Sequence, residues 1–131
     1  MLQRLEVLEE NIHTLKKLQK RYSLEDIQKN RLDEWSLRYG IFESIQVVID
    51  IACHLAGKYN LGSAKSYVEC IELLQKYDYI DEDLAKSLVA AVGLRNLLIH
   101  EYIKIDVEKL YGFLEYVDDF SLFIKSVREY I

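Results

Sequence analysis

No proline interrupts the 131 residues, and apolar side chains recur along them at steps of three and four. Together these features leave the chain little to fold into except packed helices. Nothing removes a backbone N–H from a helical ladder, and a 3.6-residue period gathers the apolar groups on one face. The pattern is longest from about Glu34 to Tyr59. There Ile41, Ile45, Val48, Ala52 and Leu55 form one stripe, and Phe42, Ile49 and Ala56 widen it. A stripe so broad predicts burial against more than one neighbour, with apolar surface left for a second copy of the chain.

Shorter amphipathic stretches flank this segment. Leu5, Leu8, Ile12, Leu15 and Leu18 give a first helix over residues 2–19, and Ser23 with Asp26 three residues on reads as the cap of a short helix ending near Asn30. Asp33 is a candidate cap for the long helix, although Arg31 to Trp35 can equally be a continuous helical turn. Asn60, Gly62 and Ser63 read as a stop, followed by a short helix over residues 64–77 with Val68, Ile71 and Leu74 inward. A fifth segment runs from Asp81 to about Leu98, with Leu84, Leu88, Ala91 and Val92 inward. Asp106 then caps a last helix with apolar positions from Val107 to Val127. No strand pattern stands between turn signals. The expected fold is all-α, one domain over residues 1–131: an up-and-down four-helix bundle with one or two additional short helices.

Charge narrows the function classes. Lys plus Arg is 17 and Asp plus Glu is 22, so the net charge is -5, opposite in sign to a protein dedicated to wrapping a duplex. Any nucleic-acid contact must use a local patch. The first 65 residues hold 10 basic and 9 acidic side chains against 7 and 13 in the rest, which favours the first half, and Arg38, Lys58 and Lys104 are the candidate phosphate contacts. The start, MLQRLEVLEEN, has no long apolar core of a signal peptide, and the longest unbroken apolar run, Leu88 to Leu94, is far short of a bilayer span. The expected location is the cytoplasm, with no membrane partner. Cys53 and Cys70 sit inside apolar helical patterns and are expected as ordinary buried thiols, since they lack the short spacing of a zinc or redox pair.

Three histidines limit the chemistry. His13 has the neighbours of a surface residue. His54 lies four residues after Asp50, a spacing that allows a hydrogen bond along one helix face but is too small a set for zinc. No metal site is expected. His100 stands in Arg95-Asn96-Leu97-Leu98-Ile99-His100-Glu101-Tyr102. An arginine fork grips non-bridging phosphoryl oxygens, and an imidazole ordinarily titrates near neutrality, so the pair suits a phosphodiester. Five residues apart, the two sit about 140° around an ideal helix. A helix ending near Leu98 to His100 would relieve that divergence. An arginine and a histidine at a helix terminus are also common without any catalytic role.

That eight-residue segment resembles the Arg-x4-His-x-Tyr signature of the HepT-like toxins, within the wider HEPN superfamily. Arg38 to Gln46 and Asp50 to Leu55 resemble the family's long central helix, and Tyr67, Leu73-Leu74 and Ile80 fall where the family has its next helix and turn. The resemblance covers nearly the whole chain. It implies the toxin of a type II toxin–antitoxin pair, a metal-independent endoribonuclease without a cofactor. It implies a homodimer whose composite cleft carries Arg95 and His100 from each protomer, with Asn96 as the accompanying polar residue. It also implies an MntA-type minimal nucleotidyltransferase as antitoxin, transferring AMP to Tyr102. Glu101, between His100 and Tyr102, departs from the more basic flank usual in the family. The alternative is a HEPN-type bundle acting only as a docking partner of the nucleotidyltransferase, and a third reading is a structural dimer without chemistry. Most of the ten tyrosines are expected to pack in the core or at its rim rather than stack on RNA.

Overall fold

The helix boundaries follow from side-chain capping. In the computed structural model, which describes residues 1–131, α1 spans Leu2–Arg21 and α2 spans Leu24–Lys29. Ser23 and Asp26 form a reciprocal capping box at the start of α2. The Ser23 backbone N–H, which donates to Asp26 Oδ2 at 2.9 Å, is the main cause holding the Asp26 carboxyl below its ordinary range, and the Ser23 hydroxyl adds to it. The long helix α3, Arg31–Lys58, begins at Asn30, whose side chain accepts from Leu32 and Asp33 N–H. Asp33 therefore lies inside the helix rather than capping it. Asn60, at φ 54°, turns the chain out of α3. Helix α4, Tyr67–Lys76, starts three residues later than its apolar pattern, because Ser66 supplies the cap. Asp81 caps α5, Glu82–His100, and a 3-10 turn at Tyr102–Lys104 follows.

The last helix is not continuous. It divides into α6, Val107–Phe113, and α7, Val117–Val127, around a 3-10 turn at Leu114–Tyr116. Three short α-helices thus accompany the four longer ones, where one or two were expected. The split lets α6 pack on α2 and α3 while α7 packs on α1 and α5.

Helices α1, α3, α5 and α7 form a closed ring of contacts, and α4 lies against α3 and α5. No strand is present. The expected core residues Ile45, Val48, Ala52, Leu88, Ala91, Leu114 and Val117 are all buried, as are Phe120 and Phe123. Gly40 sets the approach of α1 to α3, since a Cβ there would lie 3.0 Å from Leu15 Cδ2. Ser44, the one buried polar side chain, donates its hydroxyl to Gly40 O at 2.7 Å.

The breadth of the α3 stripe is largely consumed inside the chain. Eleven α3 residues are buried, so most of the stripe is used there, and of the side chains that widen it only Phe42 stays half-exposed, beside Trp35 and Tyr39. The helix is long and apolar enough to cross a membrane by length and composition, but 56% of its most apolar window is buried inside the protein. That is the pattern of a central core helix. Exposed apolar side chains instead gather at its N-terminal end and at the end of α5 and just past it: Leu32, Trp35, Tyr39, Ile99, Tyr102 and Ile103.

Cys53 and Cys70 are not separate thiols. They are joined as a disulfide between α3 and α4, with Cα atoms 5.0 Å apart. Spacing along the chain could not show this, because packing brings the two helices together. Closing a loop between residues 17 apart restricts the unfolded chain by about 3 kcal/mol. Thermal or urea unfolding should therefore give a lower stability in dithiothreitol than under oxidising conditions, by up to about 3 kcal/mol. Equal stability in both conditions would show that the bridge contributes nothing.

Candidate active site

The inward stripe of α5 runs through Leu84, Leu88, Ala91 and Leu94 and delivers Arg95 to its border with α3 and α4. Arg95 is half-buried. Its Nε donates to Gln46 Oε1 at 3.0 Å, and Nη1 donates to Asn96 Oδ1 at 2.9 Å. Gln46 is fixed in turn, because its Nε2 donates to Asp50 Oδ1 at 2.9 Å, which turns the amide oxygen to Arg95. Asp50 is held from α1 by Arg4 Nε at 3.3 Å. The guanidinium carbon also lies 5.2 Å from the ring centre of Tyr67 and 5.9 Å from that of Phe42.

This arrangement has one electrostatic consequence. Arg95 is positioned by neutral acceptors and aromatic faces, and it forms no ion pair. Of its five N–H donors, two are engaged in those hydrogen bonds and three are left for an incoming anion. A guanidinium tied to a carboxylate would have its charge largely spent. Here it is available to a phosphate.

His100 is exposed and its imidazole makes no hydrogen bond within the chain. Helix α5 ends at His100, inside the expected range, with Glu101 as its C-cap, but His100 itself still belongs to the helix, so its divergence from Arg95 is not relieved. At about 100° per residue the two side chains diverge by about 140°. Asp50 accepts from Arg4 and Gln46, and the hydrogen bond to His54 that the spacing allows is not made, His54 being exposed. No three His, Cys, Asp or Glu side chains come together as a metal cluster.

Tyr102, 60% exposed, stands on the 3-10 turn after α5. Arg38 holds that turn from α3: Nη1 donates to Tyr102 O at 3.2 Å and Nη2 to Ile105 O at 3.1 Å, while Nε pairs with Glu34 at 3.3 Å. A groove of about 420 Å3 between the two helices is lined by Trp35, Tyr39, Phe42, Ile99 and Tyr102 among others. Tyr39 donates to Glu43 Oε2 at 2.9 Å, and this bond raises its phenol above the ordinary tyrosine range. Of the other candidate phosphate contacts, Lys58 donates to Tyr130 O and Ile131 O, whereas Lys104 is 78% exposed beside Glu101 at 4.0 Å.

Gln46, Phe42 and Tyr67 were not singled out for the site from the sequence. The polar pair Gln46 and Asp50, four residues apart beside a run of apolar residues, was the available signal for Gln46. Nothing local marked the two rings, since their contact with Arg95 is made between helices.

Comparison with known proteins bears on this geometry. Residues 8–127 match a family model described as Ribonuclease HepT-like. The chain is similar to a tRNA nuclease HepT of Aphanizomenon flos-aquae, at 30% identity over 87 residues, covering 66% of this chain and 59% of that protein. It is also similar to a putative RNase of Archaeoglobus fulgidus, at 33% identity over 92 residues, 70% of this chain and 69% of that protein. The match thus spans less than two thirds of the first of these relatives. In fold it is similar to a tri-AMPylated Shewanella oneidensis HEPN toxin in complex with an MNT antitoxin, with a TM-score of 0.88. That likeness covers 98% of this chain and 96% of the other at 21% identity, and it concerns the fold.

The Arg38 clamp makes its own prediction. In Arg38→Ala, hydrogen exchange should accelerate at the Lys104 amide, which closes the turn onto Glu101 O at 2.9 Å, while amides in the middle of α5 stay protected. Unchanged exchange at residues 102–105 would show that Arg38 does not hold the turn.

Proposed function

The chain belongs to the HepT-like ribonuclease family, and we propose that it is a metal-independent endoribonuclease, the toxin of a toxin–antitoxin pair. The observation that carries this reading is Arg95: a half-buried guanidinium, fixed by Gln46 and Asn96, with no carboxylate partner and three donors free. A module that only docked a partner has no use for such a group.

The catalytic pair is Arg95 and His100, with Asn96 supporting the arginine. Because the two diverge within one chain, the working site combines residues of two protomers, and the exposed apolar surface around Trp35, Tyr39, Ile99 and Ile103 supplies the homodimer contact. One imidazole removes the proton from a ribose 2′-OH. The 2′-oxygen attacks phosphorus, the P–O5′ bond breaks, and a second imidazole returns a proton to the leaving 5′-oxygen. Arg95 stabilises the charge that gathers on the non-bridging oxygens. The products are a 2′,3′-cyclic phosphate and a 5′-hydroxyl, and DNA, which lacks the 2′-OH, is not cut. Lys104 is the exposed cation nearest in sequence to the motif and serves the RNA backbone.

The partner is an MntA-type nucleotidyltransferase antitoxin, which transfers AMP to the Tyr102 hydroxyl. The exposure of Tyr102 supports this assignment. The added phosphodiester places a negative charge close to the cleft and repels an RNA phosphate. The setting is cytoplasmic.

The test is RNA cleavage by the purified full chain in EDTA. Wild type should cleave, and His100→Ala should lose about 10²–10⁴ in rate, the range for a general acid–base group. Arg95→Lys should also be slowed, because an ammonium cannot reproduce the fork. EDTA-sensitive cleavage by an intact dimer, or a wild-type rate in His100→Ala, would overturn the proposal.

A further inference from the structure

On the α4 side of Arg95 lies a cavity of about 630 Å3, within the range of small-molecule sites. Among its lining residues are Gly57, Lys65, Ser66, Tyr67 and Asn96, together with the Cys53–Cys70 bridge. Two of these residues, Asn96 and Tyr67, are the same side chains that hold the Arg95 guanidinium. The cavity and the phosphate-binding fork therefore share a border. A nucleotide whose phosphate is gripped by Arg95 has its base, or that of its neighbour, within reach of this space.

The polar groups there are donors. Asn96 Oδ1 is taken by Arg95, which leaves the amide Nδ2 to donate. Ser66 Oγ accepts from Glu69 N–H at 3.2 Å, leaving its hydroxyl proton free. Lys65 makes no ion pair. Donors around an aromatic ring fit a flat ligand rich in acceptors, which is the chemistry of nucleobase carbonyls and ring nitrogens. The space is also kept open by the sequence. A Cβ on Gly57 would meet nothing within 4 Å, so glycine sits in the last turn of α3 with no packing requirement, although nearly any other residue would favour the helix.

We propose that this cavity is the subsite for a nucleobase flanking the scissile phosphate, with Tyr67 as its stacking surface and Asn96, Ser66 and Lys65 as donors to its edge. Stacking on an aromatic side chain tolerates any base, while the donor set favours bases that present carbonyl oxygens. The inference rests on the ribonuclease reading and adds where the substrate's base is held.

The test uses the full-length protein and two uncleavable probes of equal charge: mixed-sequence 2′-fluoro RNA heptamers, and heptamers of the same length carrying abasic residues. Wild type should bind the base-bearing probe at least tenfold more tightly. Gly57→Phe, which fills the cavity from an open position, should bring that ratio close to one and leave affinity for the abasic probe within twofold. Gly57→Ala should keep the wild-type ratio. Should Gly57→Phe fail to show a helical melt, Tyr67→Leu should likewise bring the ratio close to one while weakening both probes through its contact with Arg95, and Tyr67→Phe should retain the ratio. RNA cleavage by wild type with an unchanged ratio in the cavity variants overturns the subsite alone. No cleavage and no binding of either probe overturns the ribonuclease reading and the subsite with it.

Discussion

The burial of α3 is the constraint on which the rest depends. Eleven of its 28 residues are buried, and α1, α2, α4, α5 and α6 all pack on it. The same helix also carries the residues that organise the site. Arg38 holds the turn bearing Tyr102, Phe42 and Gln46 position Arg95, Cys53 ties down α4, and Gly57 opens the neighbouring cavity. Because α3 is fixed by its apolar faces, its remaining polar positions become rigid attachment points. A few ångströms of freedom in this helix would blur every one of them.

Arg95 shows how such a scaffold prepares a charge. The cost of partly burying a guanidinium is usually met by a carboxylate. Here it is met by an amide oxygen, a neighbouring asparagine and two aromatic faces. The carboxylate of Asp50 is one step removed: it orients the Gln46 amide and is itself occupied by Arg4. The positive charge is thus held in place without being neutralised. His100 has the opposite character: it is exposed, and no side chain of its own chain holds it.

Much of this was legible in the sequence, for physical reasons that also mark where legibility stopped. The stripes through Leu5–Leu15, Ile41–Leu55 and Leu84–Ala91 fixed the helices and the core, since burial imposes the 3.6-residue period directly. Ser23, Asp81 and Asp106 marked helix starts through local hydrogen bonds. The break at Leu114–Tyr116 was not visible, because spacings of three and four fit both a continuous helix and one interrupted by a 3-10 turn. The breadth of the α3 stripe was read as surplus for a dimer, whereas the short helices α2 and α4 take part of it. Arg38 and Lys58 read as free cations, but their donors go to backbone carbonyls at residues 102–105 and 130–131. The joining of Cys53 to Cys70 likewise depends on contacts distant in sequence. The motif itself pointed to Arg95, Asn96, His100 and Tyr102 as candidates. The groups that hold Arg95 belong to other helices and left little local trace.

The central claim is that Arg95 and His100 act together only across two protomers. Subunit mixing tests it most directly. Arg95→Ala and His100→Ala proteins, each inactive alone, are combined, partly unfolded and refolded so that protomers exchange, and the mixed dimer is isolated by two different affinity tags. RNA cleavage should return in part in the mixed dimer, above both parents but below wild type, because it retains one Arg95 and one His100 on opposite chains and lacks the second imidazole. A mixed dimer as inactive as its parents would contradict it.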